Sequence, residues 1–275
     1  MLFCDLVGST EIADRVDPED FADILRAFND TVAGIAVRYG GYVVRYFGDG
    51  ALVSFGWPTA FEDQAERAVR AALDLTDEVA RLPVDPAPPL AVRVAVASGL
   101  VVVGDLVGER THDLGSVIGN TPNRAARIQT VVPAGAVGID AATRDLVGGA
   151  FVLEALGGVA LKGFAKPVFV WRVRGETPAV TRFQTARRAP HAELVGRTHE
   201  LGLLMDRWRA AQSGEGQAVL VTGEAGIGKS RLLQSVCDGT DDGTRRLIVL
   251  QCAALHASSP LHPVVTYLSR AAGIA

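Results

Sequence analysis

Two aspartates, an asparagine–arginine pair and a lysine–serine pair are the residues whose types and spacing could do chemistry. Asp5 closes a short apolar run, Leu2-Phe3-Cys4-Asp5-Leu6-Val7-Gly8, and Ser9-Thr10 then reads as a helix start. Asp49 sits at a Gly48-Asp49-Gly50 tip between two β-branched and aromatic runs, 42–47 and 51–55, which is a hairpin by pattern. By itself Asp49-Gly50 reads equally well as a tight turn. If the strand carrying Asp5 lies beside that hairpin, both carboxylates meet at one sheet end. Hard oxygen ligands so placed suit Mg²⁺ or Mn²⁺ over a triphosphate.

Asn123 and Arg127 lie four apart in Asn120-Thr121-Pro122-Asn123-Arg124-Ala125-Ala126-Arg127-Ile128-Gln129. Pro122 suits a first helical turn and good helix formers follow, so the two side chains share one helix face. A surface polar pair is the plainer reading of that spacing. The segment Gly223-Glu224-Ala225-Gly226-Ile227-Gly228-Lys229-Ser230 satisfies G-x-x-x-x-G-K-[ST]. It follows a predicted strand over 217–222 and precedes a predicted helix, the setting that marks a phosphate-binding loop. Its backbone amides, those of Gly223, Gly226 and Gly228 among them, would cradle phosphates. Lys229 would reach the β- and γ-oxygens, and Ser230 would ligate Mg²⁺.

The elements that position these groups are readable in order. Asp17-Pro18-Glu19-Asp20 opens a helix, with an early proline and acidic residues against the helix dipole. Phe21, Ile24, Leu25, Phe28, Val32 and Ile35 then recur at helical spacing, and Gly40-Gly41 leads into the hairpin. Trp57-Pro58 closes the hairpin's second strand, and Asp63 starts a helix with Ala68, Ala72 and Leu75 inward. Val92, Val94 and Val96 alternate as in a half-buried strand. Segments 151–153, 159–163 and 168–171 finish the region as strands. Interleaved strands and helices around a hairpin predict an α+β sandwich. Polar, basic residues without a period separate it from a second unit that starts at Leu194-Val195-Gly196-Arg197 and continues as a helix through Glu200, Leu203, Leu204 and Trp208.

Composition bounds the rest. At 275 residues, 48% of them apolar, the chain has material for one or two domains. A net charge of −4 gives no reason for nucleic-acid or anionic-membrane binding. No apolar run approaches the roughly 20 residues of a membrane span, and no signal-peptide pattern opens the chain. Three cysteines, Cys4, Cys237 and Cys252, have no metal-ligand spacing. Such a sparse, odd set fits a reducing cytosol, so a cytoplasmic protein is expected, with Cys4 in the core.

The pairing of FCDLVGST with a YFGDG hairpin, followed by GNTPNRAARIQ, resembles the class III adenylate/guanylate cyclase catalytic domain over residues 1–175. The resemblance implies a ferredoxin-like core, and the polar, basic, aperiodic stretch after it reads as a linker at 176–192. It also implies two divalent ions held by Asp5, Asp49 and the Leu6 carbonyl. One ion would lower the pKa of the ribose 3′-hydroxyl and the other would neutralise the β- and γ-phosphates. Asn123 would orient the ribose, Arg127 would stabilise charge on the α-phosphate, and Lys162 would contact the terminal phosphates. Arg suits its role because its planar fork stays charged and binds two phosphate oxygens at once. In the family the metal ligands and the Asn/Arg pair come from different protomers, so a homodimer is implied. ATP is the implied substrate and 3′,5′-cyclic AMP and pyrophosphate are the products.

Base selection departs from the adenine-selective pattern: Arg45 stands where that pattern has Lys, and Ser116 where it has Asp. Arg45 can still donate to adenine N1, whereas the Ser116 hydroxyl can accept or donate, which leaves GTP open. Residues 193–275 resemble the start of an AAA/STAND-type P-loop ATPase module, an α/β segment that would bind ATP. No acidic residue ends an apolar strand after 247–250, so binding is expected of it and hydrolysis is not. Only three residues follow Met1 before Asp5, short for the family's first strand. The P-loop part likewise reads as truncated. Two further readings stand beside the enzyme: a cyclase-like domain that dimerises and regulates with little turnover, and a P-loop ATPase for which the cyclase unit is a sensor.

Overall fold

The computed structural model describes residues 1–83, 89–104, 117–164, 166–177, 196–224, 227–240, 247–250, 252 and 260–272. The chain divides into two compact units, Met1–Thr177 and Pro178–Ala275. The first unit begins β1 (Leu2–Leu6), α1 (Ser9–Ala13), α2 (Pro18–Arg38), β2 (Tyr42–Phe47), β3 (Gly50–Ser54), α3 (Gln64–Ala80), β4 (Val92–Val96). It continues β5 (Val102–Val103), β6 (Val117–Ile118), α4 (Asn120–Gln129), β7 (Ala136–Asp140), α5 (Ala141–Val147), β8 (Phe151–Val159) and β9 (Val168–Glu176). One sheet runs β2-β3-β1-β4-β7-β9-β8, and β5 pairs with β6 separately. β1 to β4 are antiparallel to every neighbour among themselves, and β4 pairs parallel with β7. That order and those hands are ferredoxin-like, with strands added at the β4 edge.

Local sequence explains the elements that matter for the site. α2 has Asp17 at its cap position, Pro18 in its first turn and Glu19 and Asp20 against the dipole. Its buried residues Ile24, Phe28, Val32 and Ile35 hold the inward stripe expected from their spacing. The hairpin of β2 and β3 turns through Gly48 at φ 65, a left-handed conformation that costs an L-residue with a side chain about 1–2 kcal/mol. It carries a bulge between Val43 and Arg45.

β4 departs from the half-buried strand its alternation predicts. Val92, Val94 and Val96 are buried on one face and Ala95 on the other. The reason is that helices cover both faces. Ala95 packs with Ile128 and Val132, at the end of α4 and just beyond it. Gly138 of β7 lies so close to them that an added Cβ would fall 2.4 Å from Val132. On the opposite face α3 brings Val69, Ala72, Leu75 and Val79 against β4 and β7. Each fully buried valine contributes about 1.5–3 kcal/mol relative to exposure, so β4 and β1 form the rigid part of the sheet.

The second unit contains α6 (Thr198–Gln212), α7 (Lys229–Thr240) and α8 (His262–Ala271). The predicted helix through Glu200, Leu203, Leu204 and Trp208 is α6. The predicted strands at 217–222 and 247–250 do not form ladders among the described residues. An extended apolar segment becomes a strand only when neighbouring backbone takes up its N–H and C=O groups. No described segment pairs with either one, and Leu220 and Ile248 are exposed.

Candidate active site

Asp5 stands opposite Gly50 of β3 on one side and Arg93 of β4 on the other. Directly opposite residues of antiparallel strands share a face, so Asp5, Gly50 and Arg93 all face the side that α4 covers. From that side Gln129, buried at the end of α4, donates from Nε2 to Asp5 Oδ2 at 3.1 Å. Gly50 is required by space. A Cβ there would sit 2.9 Å from the Cys4 carbonyl oxygen and 3.1 Å from Asp5 Oδ1.

Asp49 lies in the hairpin turn, and the Leu6 N–H donates to its carbonyl oxygen at 2.9 Å. The Ser9 hydroxyl, at the start of α1, donates to Asp49 Oδ2. The sequence-predicted acidic pair and Leu6 therefore do gather at one sheet end. Asp5 also feels the charge of Asp49. Asp5 has its pKa raised, first by burial and then by the charge of Asp49, while the Gln129 amide and the Arg93 guanidinium pull the other way. A pair of coupled carboxylates fits a hard divalent cation, which would relieve their repulsion. Among the described residues no cluster of three or more His, Cys, Asp or Glu forms.

Asn123 and Arg127 are exposed on α4, whose buried side is made by Thr121, Ala125, Ile128 and Gln129. Within one copy, α4 thus turns Gln129 rather than Arg127 toward Asp5. Arg45 is exposed on β2, the edge strand, across from Leu52. Lys162 is exposed just after β8. Ser116 lies outside the described residues. Arg124, on the same helix as Asn123, pairs with Asp140 at 2.8 Å. Asp140 is buried and also accepts from Thr143 N and Thr143 Oγ1 at 2.8 and 2.7 Å and from Ser98 N at 3.3 Å. That network fixes the seat of α4 on β7. A cavity of ≈ 360 Å³ opens beside it, between Arg124, Asp140, Phe164, Lys166 and Phe169.

In the second unit the predicted phosphate loop does open a helix, since Lys229 and Ser230 begin α7. Lys229 Nζ donates back to the carbonyl oxygens of Gly223 at 3.1 Å and Glu224 at 2.8 Å. Gly228 has φ 97, where glycine is at no disadvantage. Arg197 Nη2 donates to the Ile227 carbonyl oxygen at 3.4 Å, tying the start of α6 to the loop. Gly226 lies outside the described residues.

Residues 1–175 match the family model described as the adenylate and guanylate cyclase catalytic domain. The chain belongs to that family. Residues 193–274 match the model described as the AAA ATPase domain. The cyclase domain has the fold of the guanylate cyclase domain of RhGC from Catenaria anguillulae, solved in complex with GTP. The TM-score is 0.60 at 27% identity, over 64% of this chain and 95% of that one. It is equally similar to the adenylyl cyclase CyaB from P. aeruginosa, with a TM-score of 0.60 at 26% identity over 66% and 95% of the two chains. An uncharacterized protein of Rhizobium meliloti is 32% identical over 271 residues, which is 97% of this chain and 26% of that protein. The chain thus spans about a quarter of the length of this relative. No helix among the described residues is long and apolar enough to cross a membrane.

Several residues of the cyclase domain have roles at the site that the sequence did not reveal: Ser9 against Asp49, and Gln129, Arg93 and Gly50 around Asp5. Gln129 follows Ile128 on the buried stripe of α4, and a polar residue on an apolar stripe is the signal that could have found it. Arg93 alternates with the valines of β4 and so had to share a face with something. Ser9 carries no such mark, because its partner is forty residues away in sequence.

Proposed function

We propose that the cyclase domain converts ATP to 3′,5′-cyclic AMP and pyrophosphate at a homodimer interface. The observation that carries this reading is the division of labour within one copy. Asp5 and Asp49 gather at the sheet end, while Asn123 and Arg127 project to solvent on the far side of α4. One copy therefore offers half a site on each of two surfaces, and a second copy would complete both. Exposed apolar residues around the start of α4 support such an interface: Leu100 is 96% exposed, and Val102 and Ile118 stand beside it.

Two divalent ions, Mg²⁺ or Mn²⁺, held by Asp5, Asp49 and the Leu6 carbonyl would supply a lowered 3′-hydroxyl pKa and neutralise phosphate charge. The chain's own residues do the rest. Ser9 and Gln129 orient the two carboxylates through the hydrogen bonds given above. Asn123 of the partner copy orients the ribose, so that the 3′-oxygen meets the α-phosphorus in line. Arg127 of the same copy lends its fixed fork to the α-phosphate as the bond to pyrophosphate breaks. Lys162 contacts the terminal phosphates. Arg45 donates to adenine N1, and Ser116, by the resemblance, would serve the 6-amino group. Because a serine hydroxyl serves as donor or acceptor, discrimination against GTP is expected to be weak.

The second unit serves as an ATP-binding module fused to the cyclase, with Lys229 exchanging its loop carbonyls for phosphate oxygens. The domain boundaries that follow are 1–175 for the cyclase, 176–192 for the linker and 193–275 for the partial ATPase. The departures at Arg45 and Ser116 favour one alternative, a regulatory dimerisation domain with little turnover. Incubation of the chain with ATP or GTP and Mn²⁺, scored for cyclic product, decides between them. Product is expected with both bases and none from Asp49→Ala. Product persisting in that variant would remove the metal assignment, and none from the parent chain would favour the regulatory reading.

A further inference from the structure

α4 has two working faces that belong, on the dimer reading above, to two different active sites. Its outer face carries Asn123 and Arg127 for the site built on the partner's carboxylates. Its inner face ends in Gln129, which grips the same copy's Asp5 across 124 residues of sequence. We propose that the Gln129–Asp5 hydrogen bond couples the two active sites of the dimer, making the state of one metal site bias the helix that serves the other. The inference rests on the proposed sharing of residues between copies.

The mechanics follow from how α4 is seated. Ala125 and Ile128 are fully buried, and Ile128 packs with Val132 and Ala95 over Gly138, where even one methyl group would not fit. Close-packed contacts of this kind transmit displacement rather than absorb it. Midway along it the Arg124–Asp140 pair holds the helix to β7, and at its C-terminal end Gln129 holds it to β1. Gln129 is 4% exposed and donates to a charged acceptor, the stronger class of hydrogen bond. Ligands drawn to Asp5 compete for the oxygen that Gln129 holds. On this proposal, release of Gln129 shifts the C-terminal end of the ten-residue helix and with it Arg127, two positions earlier. The expected coupling is about fivefold, the low end for two linked sites.

Mixed dimers of the full chain, assembled by co-expression with two affinity tags, isolate the effect. One copy carries Arg127→Ala. The other carries either Asp5→Ala or Asp49→Asn, so that each mixed dimer retains one intact site, and its carboxylates come from the first copy. Both disabling substitutions fall in the dead site, but only Asp5→Ala removes the partner of Gln129 on the helix serving the live one. With Lys229→Ala in both copies to silence the second unit, the live site is then read by turnover and, separately, by calorimetric affinity for Mn²⁺ with 2′,3′-dideoxy-ATP. Coupling predicts about fivefold weaker binding and slower turnover in the Asp5→Ala dimer than in the Asp49→Asn dimer. Gln129→Met added to the Asp49→Asn copy should reproduce that fall, and added to the Asp5→Ala copy should change nothing further. Equal live sites in the two parent mixed dimers would overturn the coupling. Mixed dimers that bind and turn over nothing would instead overturn the sharing of residues between copies.

Discussion

Gly50→Ala is the substitution that joins the fold to the site most directly. Its new Cβ would lie 2.9 Å from the Cys4 carbonyl oxygen, a backbone atom held in the β1–β3 ladder, and 3.1 Å from Asp5 Oδ1. Neither atom can rotate away cheaply, so β3 must step back from β1 by a few tenths of an ångström. Overpacking of this kind costs about 1–3 kcal/mol. With a urea slope of about 2 kcal/mol per molar, the unfolding midpoint should fall by about 1 M. Cys4 is a local reporter, since it is fully buried beside Ala51 while Cys252 is exposed. Pulsed alkylation across a urea series, read by mass spectrometry at Cys4, gives the midpoint of this strand pair without contribution from the second unit. The same step should move Asp5 by about 0.3 Å. If a 1 Å misplacement costs about a hundredfold in rate, cyclic-nucleotide formation with Mn²⁺ should fall about fourfold. Gly135→Ala is the control. It has φ 69 and open space, so it should cost stability through its backbone alone and leave that rate unchanged. A Gly50→Ala chain with the parent's Cys4 midpoint and rate would refute the close approach of β3 to Asp5.

Other outcomes follow from the same geometry. Asp140→Ala should destabilise the cyclase domain by about 3–5 kcal/mol, because it removes the acceptor of Arg124, Thr143 and Ser98 together, and Arg124→Met by less; both are measurable by denaturant unfolding. Tyr39 has its pKa raised from 10.0, first by burial and then by its hydrogen bond to Asp74 at 2.7 Å. The folded state therefore keeps a proton that the unfolded chain gives up above pH 10, and stability should fall with rising pH from that point by at most about 1.4 kcal/mol per unit. Tyr39→Phe should flatten that alkaline slope. Lys229→Ala should abolish ATP binding by the second unit, read by equilibrium dialysis in an Asp49→Ala background, and leave cyclic-nucleotide formation by the otherwise unaltered chain intact.

The sequence made some of this legible and hid the rest for identifiable reasons. The inward stripe of α2 and the hairpin around Asp49 declared themselves because periodicity and turn chemistry are local properties. β4 declared itself as a strand but not its second buried face, because the face that α4 covers is lined by Ala95 and Gly138, residues too small to register as a hydrophobic signal. Their smallness lets α4 lie close, so the feature that hid the second face is the one that builds it. The segments 217–222 and 247–250 have the composition of strands, but among the described residues neither has a partner to pair with.

At the site the same distinction separates ligand candidates from the residues that hold them. Asp5, Asp49, Asn123 and Arg127 could be picked out because FCDLVGST, YFGDG and GNTPNRAARIQ occur in the order of the cyclase domain, whereas spacing alone left a tight turn and a surface polar pair. Ser9 and Gln129 are chemically ordinary, and what they do depends on contacts that span 40 and 124 residues. A hydrogen bond of that range is a property of the folded sheet, written in the register that sets Asp5 opposite Gly50 and Arg93. Once that register is known, the orientation of α4 follows from its apolar stripe. Gln129 then has to meet Asp5, and Arg127 has to face away from it.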